Sequence, residues 1–378
     1  MKTLYLHIGM MKTGTTAIQK FLVSNTELLA NNNFIYPMMP YRYEYVPSSR
    51  NAHFLYSRIE DSNRASEGKK NPEMVEDCLD VIVKAFKDYD NVIISDEILF
   101  WHLGCRRTYR AEMLLKCAEE NGFTIKIIAY LRRQDYIVES VWNQNVKHYA
   151  SQKSFEEYID WFHVQGRLEY YNRIETIADL FGEDNVIVRR YQKEDLLEGS
   201  SVTDFLSIIG IKATADISSD IDTTRRNVRL SNNLVFYKQQ INKFSTSGRK
   251  GGRLSEEALL KSTDRTQEVE YISTMMGSDG AREFMSEFEA ANNQLAEKYI
   301  KDGKPLFNDR YEQADKWQPN NPAMLEDFIA GSAAMFGAIQ DIIEEQNARI
   351  KALEEKNKSL MSALKHPVSS QFKKLIKK

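Results

Sequence analysis

The chain has little cysteine. Its 378 residues carry three, Cys78, Cys105 and Cys117. An odd number with no Cys-x-x-Cys pair excludes a disulfide scaffold and fits a reducing compartment. Histidine is sparse too: His7, His53, His102, His148, His163 and His366 show no ligand spacing such as His-x3-His, so no metal site is expected. No run approaches the length of a membrane span. No charged-then-apolar leader precedes the first apolar stretch, which starts almost at Met1, and the expectation is a cytoplasmic protein. Excess charge of one sign is also missing; a formal net charge of −3 gives no case for a nucleic-acid surface. No internal repeat of fixed period is visible. What remains is ordinary globular composition, 42 % hydrophobic and 28 % charged, in a chain long enough for one large α/β domain plus an appendage.

The chain is organised around residues 3 to 16, Thr-Leu-Tyr-Leu-His-Ile-Gly-Met-Met-Lys-Thr-Gly-Thr-Thr. Leu4, Leu6 and Ile8 read as a buried strand, Gly9 and Gly14 bracket a turn, and Ala17 to Leu22 read as helix. Strand, glycine loop and helix together aim backbone N–H groups and a helix N-terminus at an anion. Lys12 adds a positive charge inside the turn, and Thr15 and Thr16 add hydroxyls at its exit. A Walker A loop needs Gly-x4-Gly-Lys-[Ser/Thr]. Here Gly9 and Gly14 have that spacing, but Thr15 stands in the lysine's place and the lysine comes two residues before Gly14.

Further along, a helix is expected at about 16 to 31 and a short strand at Phe34 to Tyr36. Residues 38 to 70 read as an irregular insertion rich in Tyr, Arg, Asn and Ser, suited to a saccharide surface or simply solvated. Helices are expected at 71 to 89, 108 to 120, 135 to 149, 154 to 165 and 167 to 181, and strands at Asn91 to Ser95, Thr124 to Leu131 and Asn185 to Tyr191. Residues 195 to 300 read as helices and loops. Continuous apolar strands alternating with helices imply an α/β fold: a three-layer, P-loop-like parallel sheet with helices on both faces, followed by a C-terminal helical extension. His7 reads as a core histidine. Ser231 reads as the N-cap of a helix.

A second motif begins where the strand ending at Leu131 gives way to Arg132. Ser140 follows eight residues on, in the next helix, where two turns can return its hydroxyl to a phosphate held by the arginine's fork of donors. Arg132 capping a loop or pairing with Asp135 is the plain alternative. Lys-Thr-Gly-Thr-Thr after a first strand resembles the 5′-phosphosulfate loop of sulfotransferases that use 3′-phosphoadenylyl sulfate (PAPS). Arg132 and Ser140 resemble that family's 3′-phosphate motif, and Tyr130 to Lys147 looks like the version in bacterial carbohydrate sulfotransferases. The resemblance covers roughly residues 1 to 310. It implies that Gly9, Lys12, Thr13, Gly14, Thr15, Thr16, Arg132 and Ser140 bind PAPS. Tyr191 resembles an adenine-contacting tyrosine, with a buried sheet-end tyrosine as the plain reading. Arg249, Lys250 and Gly251 resemble a loop that closes over the 3′-phosphate, and otherwise read as a mobile basic loop.

The implied chemistry is in-line sulfuryl transfer to a hydroxyl of a carbohydrate or glycolipid acceptor, with Lys12 neutralising charge on the leaving phosphate and no metal required. The acceptor hydroxyl needs a general base. In related enzymes this is a glutamate or histidine just past the strand beside the first one, which makes Glu97 the first candidate and His102 the second. Two rival readings stay open: a P-loop-like nucleotide kinase or hydrolase, and a non-catalytic nucleotide-fold scaffold.

The expected organisation is a catalytic domain over 1–310, a linker or helical connection over 311–338 that is irregular and then helical, a short coiled coil over 339–365 and a basic amphipathic tail over 366–378. Ile343, Ile350, Asn357 and Leu364 share one heptad position, and Gln346, Leu353 and Leu360 the other. One Asn among apolar positions favours a parallel homodimer. Packing on the catalytic domain is the competing explanation. The tail, with Lys373, Lys374, Lys377 and Lys378 around Phe372, Leu375 and Ile376, would suit the inner face of a membrane or be merely solvated.

Overall fold

The computed structural model describes residues 1–43, 46–56, 71–105, 108–212, 230–244, 255–260, 262, 273–309, 311 and 313–365. They fall into two compact units: one of residues 1–142, 153–227 and 273–317, the other of 143–152, 228–272 and 318–378.

In the first unit, β1 (Thr3–Gly9) leads to α1 (Thr15–Ser24), α2 (Thr26–Asn31) and the short β2 (Phe34–Ile35). Then follow α3 (Asn71–Ala85), β3 (Asn91–Ser95), α4 (Leu99–Leu103), α5 (Tyr109–Asn121) and β4 (Thr124–Leu131). α6 (Gln134–His148) begins in this unit, and α7 (Phe155–Val164), α8 (Tyr170–Phe181), β5 (Val186–Arg190) and α9 (Ser201–Ile208) come next. The strands form one parallel five-stranded sheet of order β2-β3-β1-β4-β5. This is the α/β fold that the sequence leads one to expect. β1 lies at the centre because Leu4, Leu6 and Ile8 are all fully buried, as are Ile93 and Ile94 of β3 and Ile127 to Leu131 of β4. The chain leaves β1 for β2 at one edge, returns through β3 and crosses to β4 on the other side of β1, so the carboxyl ends of β1 and β4 border a topological switch point.

Local chemistry sets the helix boundaries. Ser154 caps α7 in a capping box with Glu157, and Thr108 and Ser200 cap α5 and α9 through the amides of Ala111 and Thr203. The single helix expected over 16 to 31 is instead two, because Asn25 folds its amide and its side chain back onto Phe21 O, both at 3.0 Å. The short α4 was not foreseen; its five residues give no helical period to read. Residues 38–43 and 46–56 are irregular apart from a 3-10 turn at His53–Leu55.

In the second unit α10 (Asn232–Phe244) starts at Ser231, whose Oγ accepts from Leu234 N at 3.3 Å, the expected cap. Back in the first unit, β6 (Ser273–Thr274) pairs with β7 (Asp315–Lys316), and α11 (Gly277–Ser286) and α12 (Glu289–Leu295) lie between them in sequence. α13 (Met324–Lys365) belongs to the second unit and runs unbroken for 42 residues, starting within the stretch expected to turn from irregular to helical and continuing without a joint through the expected coiled coil. Near its start Phe328 packs on Tyr237 with ring centroids 4.4 Å apart, while every residue from Ile339 to Met361 is exposed. No helix among the described residues is long and apolar enough to cross a membrane. The basic tail 366–378 lies outside the described residues.

α9 is fastened to the sheet by one buried carboxylate. Asp204 accepts from Tyr130 Oη at 2.7 Å, from Arg189 Nη2 and Nε at 2.5 and 3.1 Å, and from Leu197 N at 3.2 Å. Removing one partner of such a cluster leaves the others buried and unpaired. Asp204→Ala should cost about 3 kcal/mol, read as a lower urea midpoint at unchanged m-value. A loss below about 1 kcal/mol would show that apolar packing alone holds α9.

Candidate functional site

The turn between β1 and α1 is held by main-chain geometry. Gly9 and Gly14 take φ of +82° and +75°, and Lys12 between them is also left-handed at +67°. Met10 N donates to Tyr130 O at 2.8 Å, and Thr13 Oγ1 closes the turn onto Met10 O at 2.5 Å. Both glycines also serve close approaches. A Cβ at Gly9 would fall 2.7 Å from Glu97 Cβ, and one at Gly14 would fall 2.3 Å from Ser201 Oγ and 3.3 Å from Tyr191 Cε2. Gly14 O takes the first helical bonds of α1, from Ala17 N and Ile18 N at 2.9 and 3.2 Å. No side chain caps this helix. Its opening amides therefore face outward at the positive end of the helix dipole, beside half-buried Lys12 and buried Thr15. Such an arrangement can hold an oxyanion.

Arg132 reaches this turn from the end of β4: its Nη1 donates to Lys12 O at 3.1 Å, 120 residues away in sequence. Its guanidinium lies 5.7 Å from the Tyr136 ring and 5.9 Å from the Tyr191 ring, and Tyr170 Oη fixes its carbonyl at 2.8 Å. Tyr191, anchored through its amide to Leu131 O at 2.7 Å, thus borders both Arg132 and Gly14. The arginine that pairs with Asp135 is Arg133, at 2.7 Å; it is buried against the rings of Tyr136 and Tyr311. Burial raises the Asp135 carboxyl above its usual range, against the pull of that cation. Ser140 is half-buried on α6. Arg249, Lys250 and Gly251 lie outside the described residues.

The end of β3 supplies the carboxylates. Asp96 is fully buried and caps the next turn by accepting from Ile98 N at 2.9 Å. It also accepts from Arg50 Nε at 3.1 Å and from His53 Nδ1 at 2.6 Å. Burial alone would raise its carboxyl, but His53 and Arg50 outweigh it and hold Asp96 below the ordinary carboxylate range. Arg50 is shared: its Nη1 lies 3.3 Å from Glu97 Oε1. On the other side, Gln19 Nε2 donates to Glu97 Oε2 at 3.0 Å and to Ser95 Oγ at 3.1 Å. Glu97 thus stands against the Gly9 turn between an arginine and an amide. His102, the other candidate base, meets the Tyr56 ring edge-on at 5.1 Å. Among the described residues no three His, Cys, Asp or Glu side chains are grouped to hold a metal ion.

Arg50, His53 and Gln19 carried no signal in the sequence. Arg50 and His53 lie in the irregular insertion, and Gln19 occupies one position on the buried side of an ordinary helix. Only contacts across 46, 43 and 78 residues reveal them.

No protein-family model matches the chain. An uncharacterized protein of Archaeoglobus fulgidus is 26 % identical over 186 residues, covering 46 % of each chain, so the match spans less than half of that protein's length. Among solved structures, a sulfotransferase from Alicyclobacillus acidocaldarius is similar over 58 % of this chain and 89 % of that one, with a TM-score of 0.36 and 16 % identity. Mouse sulfotransferase SULT7A1, in complex with PAP, is similar over 76 % of this chain and 89 % of that one, with a TM-score of 0.34 and 14 % identity.

His7, beneath the turn, is fully buried, shares a hydrogen bond with Ser95 Oγ at 2.9 Å, and has an Nε2 without a partner. Burial lowers its pKa from 6.5 to about 3, although Asp96 pulls the other way. The folded ring stays neutral where the unfolded ring takes up a proton. Stability is therefore whole above pH 6.5 and falls by about 1.4 kcal/mol per pH unit as the pH drops towards 3. Urea unfolding at pH 7, 6 and 5 should show this slope, and His7→Gln should flatten it. An equal slope in the variant would assign the acid sensitivity to other groups.

Proposed function

We propose that the chain is a PAPS-dependent sulfotransferase that acts on a hydroxyl of a carbohydrate or glycolipid acceptor. The observation that carries the reading is the hydrogen bond from Arg132 to Lys12 O, which ties two separate phosphate-binding elements, the β1–α1 turn and the end of β4, into one surface. The uncapped N-terminus of α1 fits a 5′-phosphate, and Thr15 after Gly14, in place of lysine, disfavours a Walker-type nucleotide site. When bound, PAPS supplies a sulfuryl group activated by a phosphate leaving group.

The residues around it divide the work. Lys12 and the α1 amides neutralise charge that develops on the leaving phosphate, and Arg132, with Ser140, holds the 3′-phosphate. Glu97 takes the proton of the acceptor hydroxyl as the new oxygen–sulfur bond forms and the sulfur–oxygen bond to the leaving phosphate breaks. Arg50 and Gln19 fix each of its oxygens in place, so the carboxylate meets the turn in one orientation. A carbohydrate acceptor is supported by the Tyr- and Arg-rich insertion that supplies Arg50 and His53.

Calorimetry with adenosine 3′,5′-bisphosphate and with ATP tests this. The bisphosphate should bind in the micromolar range and in preference to ATP, and Arg132→Ala should weaken it by roughly 1.5–3 kcal/mol. Glu97→Gln should lower transfer by about 10²–10⁴-fold and leave bisphosphate affinity unchanged. No binding, or a preference for magnesium-ATP, would sink the reading and return the kinase or scaffold to first place.

The proposal includes a parallel homodimer through α13. Ile343, Ile350, Leu353 and Leu360 are 52 to 57 % exposed on a helix with no neighbours along this stretch. Ile at one core position with Leu at the other, and a single Asn357, suit two parallel strands. In that alignment Arg349 of one chain faces Glu354 of the next, an attractive pair that an antiparallel arrangement would lose. Sedimentation should give a dimer for the full chain and a monomer for Ile350→Asp with Leu353→Asp; a wild-type monomer would overturn this part.

A further inference from the structure

Arg167 is placed by a helix ending and not by a partner charge. The chain leaves α7 through Gly166 at φ +53°, and the amides of Gly166 and Arg167 donate to His163 O and Phe162 O at 2.8 and 3.0 Å. In such an ending the residue after the left-handed position usually lays an apolar side chain on the last turn. Here that residue is an arginine. Its guanidinium carbon lies 4.1 Å from the Trp161 ring centroid, 4.5 Å from Trp101 and 6.0 Å from Phe162.

Among the described residues no carboxylate faces that charge. The groups whose fields act on Arg167 are Arg173, Cys105, Tyr158 and Tyr56, with no carboxylate among them. Burial and the neighbouring Arg173 cation both disfavour its charged form. Arg173 itself spends its donors on the carbonyls of Gly166, Trp101 and Gln165 and on Cys105 Sγ. The Trp101 indole N–H is buried with no acceptor. A half-buried guanidinium stacked on two indoles keeps its fork of donors in the ring plane, where an anion could meet it.

The site adjoins the proposed chemistry. α4, which carries Trp101 and His102, starts just after Glu97. Tyr56 meets His102 at 5.1 Å and His53 at 5.5 Å, and His53 bonds Asp96 beside Arg50 and Glu97. A chain of contacts therefore links Glu97 through Arg50, Asp96, His53 and Tyr56 to His102, the neighbour in sequence of the Trp101 that Arg167 covers.

We propose that Arg167 recognises an anionic group on the acceptor, a carboxylate or a phosphate ester, so that the acceptor is an acidic saccharide and not a neutral one. This rests on the sulfotransferase reading for the presence of an acceptor. Arg167 then acts as a specificity residue, with Trp101 and Trp161 holding its fork of donors flat.

The full-length protein is titrated with methyl β-glucuronide, glucose 6-phosphate and methyl β-glucoside, read by tryptophan fluorescence and calorimetry. At least one anionic sugar should bind about tenfold more tightly than the neutral glucoside, and the preferred one tells carboxylate from phosphate. Arg167→Gln should abolish that preference, and Arg167→Lys, which keeps the charge, should retain part of it. Equal affinity for all three sugars, no binding of any, or a preference that survives Arg167→Gln would overturn the proposal. An arginine that only props the two indoles would lower the melting temperature in both variants without changing the ratio. Bisphosphate binding, measured beside these, separates the outcomes: if it is present while the preference is absent, this inference alone fails.

Discussion

The turn after β1 is crowded from two sides, and the site depends on that crowding. Glu97 presses on Gly9 and Ser201 presses on Gly14, each closer than any side chain at the glycine would allow. Such contacts make positions rigid in a way that hydrogen bonds between side chains do not, because the atoms in contact belong to backbone or to Cβ. The carboxylate, the loop and the start of α9 are thus fixed relative to one another. Asp204 holds α9 to β4 and β5 from beneath, and Met10 and Lys12 are tied to β4 by Tyr130 O and Arg132.

Charge in the same region is distributed unevenly. Asp96 accepts from Arg50, from His53 and from a backbone amide, which suits a fully buried carboxylate whose work is structural. Glu97 shares the remaining arm of Arg50, accepts from Gln19 and is 15 % exposed. Arg167 is the opposite case, a cation with aromatic neighbours and no carboxylate. Buried or half-buried charge without a partner is costly, and a ligand of opposite sign is the usual way that cost is met.

The second unit follows a different principle. α10 buries Asn233 against Asn321 and Asp327, and Asn242 against the carbonyls of Val146 and Ser151. Lys238 is fully buried beside Asn242, and burial lowers its pKa to about 8. Polar networks of this kind fix one arrangement of helices, since any slip strands several donors at once. α13 then continues past that network, presenting its apolar stripe to solvent.

The order and type of the main elements were legible in the sequence, because continuous apolar runs bounded by glycine and polar residues can bury themselves in only one way. The geometry of the turn after β1 was legible too: its glycines, lysine and threonines are adjacent in the chain and fix local backbone geometry by themselves. What the tertiary structure alone decided is every contact made at long range. It gave Asp135 to Arg133 and turned Arg132 towards Lys12; it brought Arg50 and His53 from an irregular insertion to Asp96; and it set Arg167 between the indoles of two different helices. None of these residues sits in a periodic pattern, and a polar side chain's partner is set by which strands and helices the fold places side by side. Local sequence specifies the elements and the turn, and packing selects which charges meet.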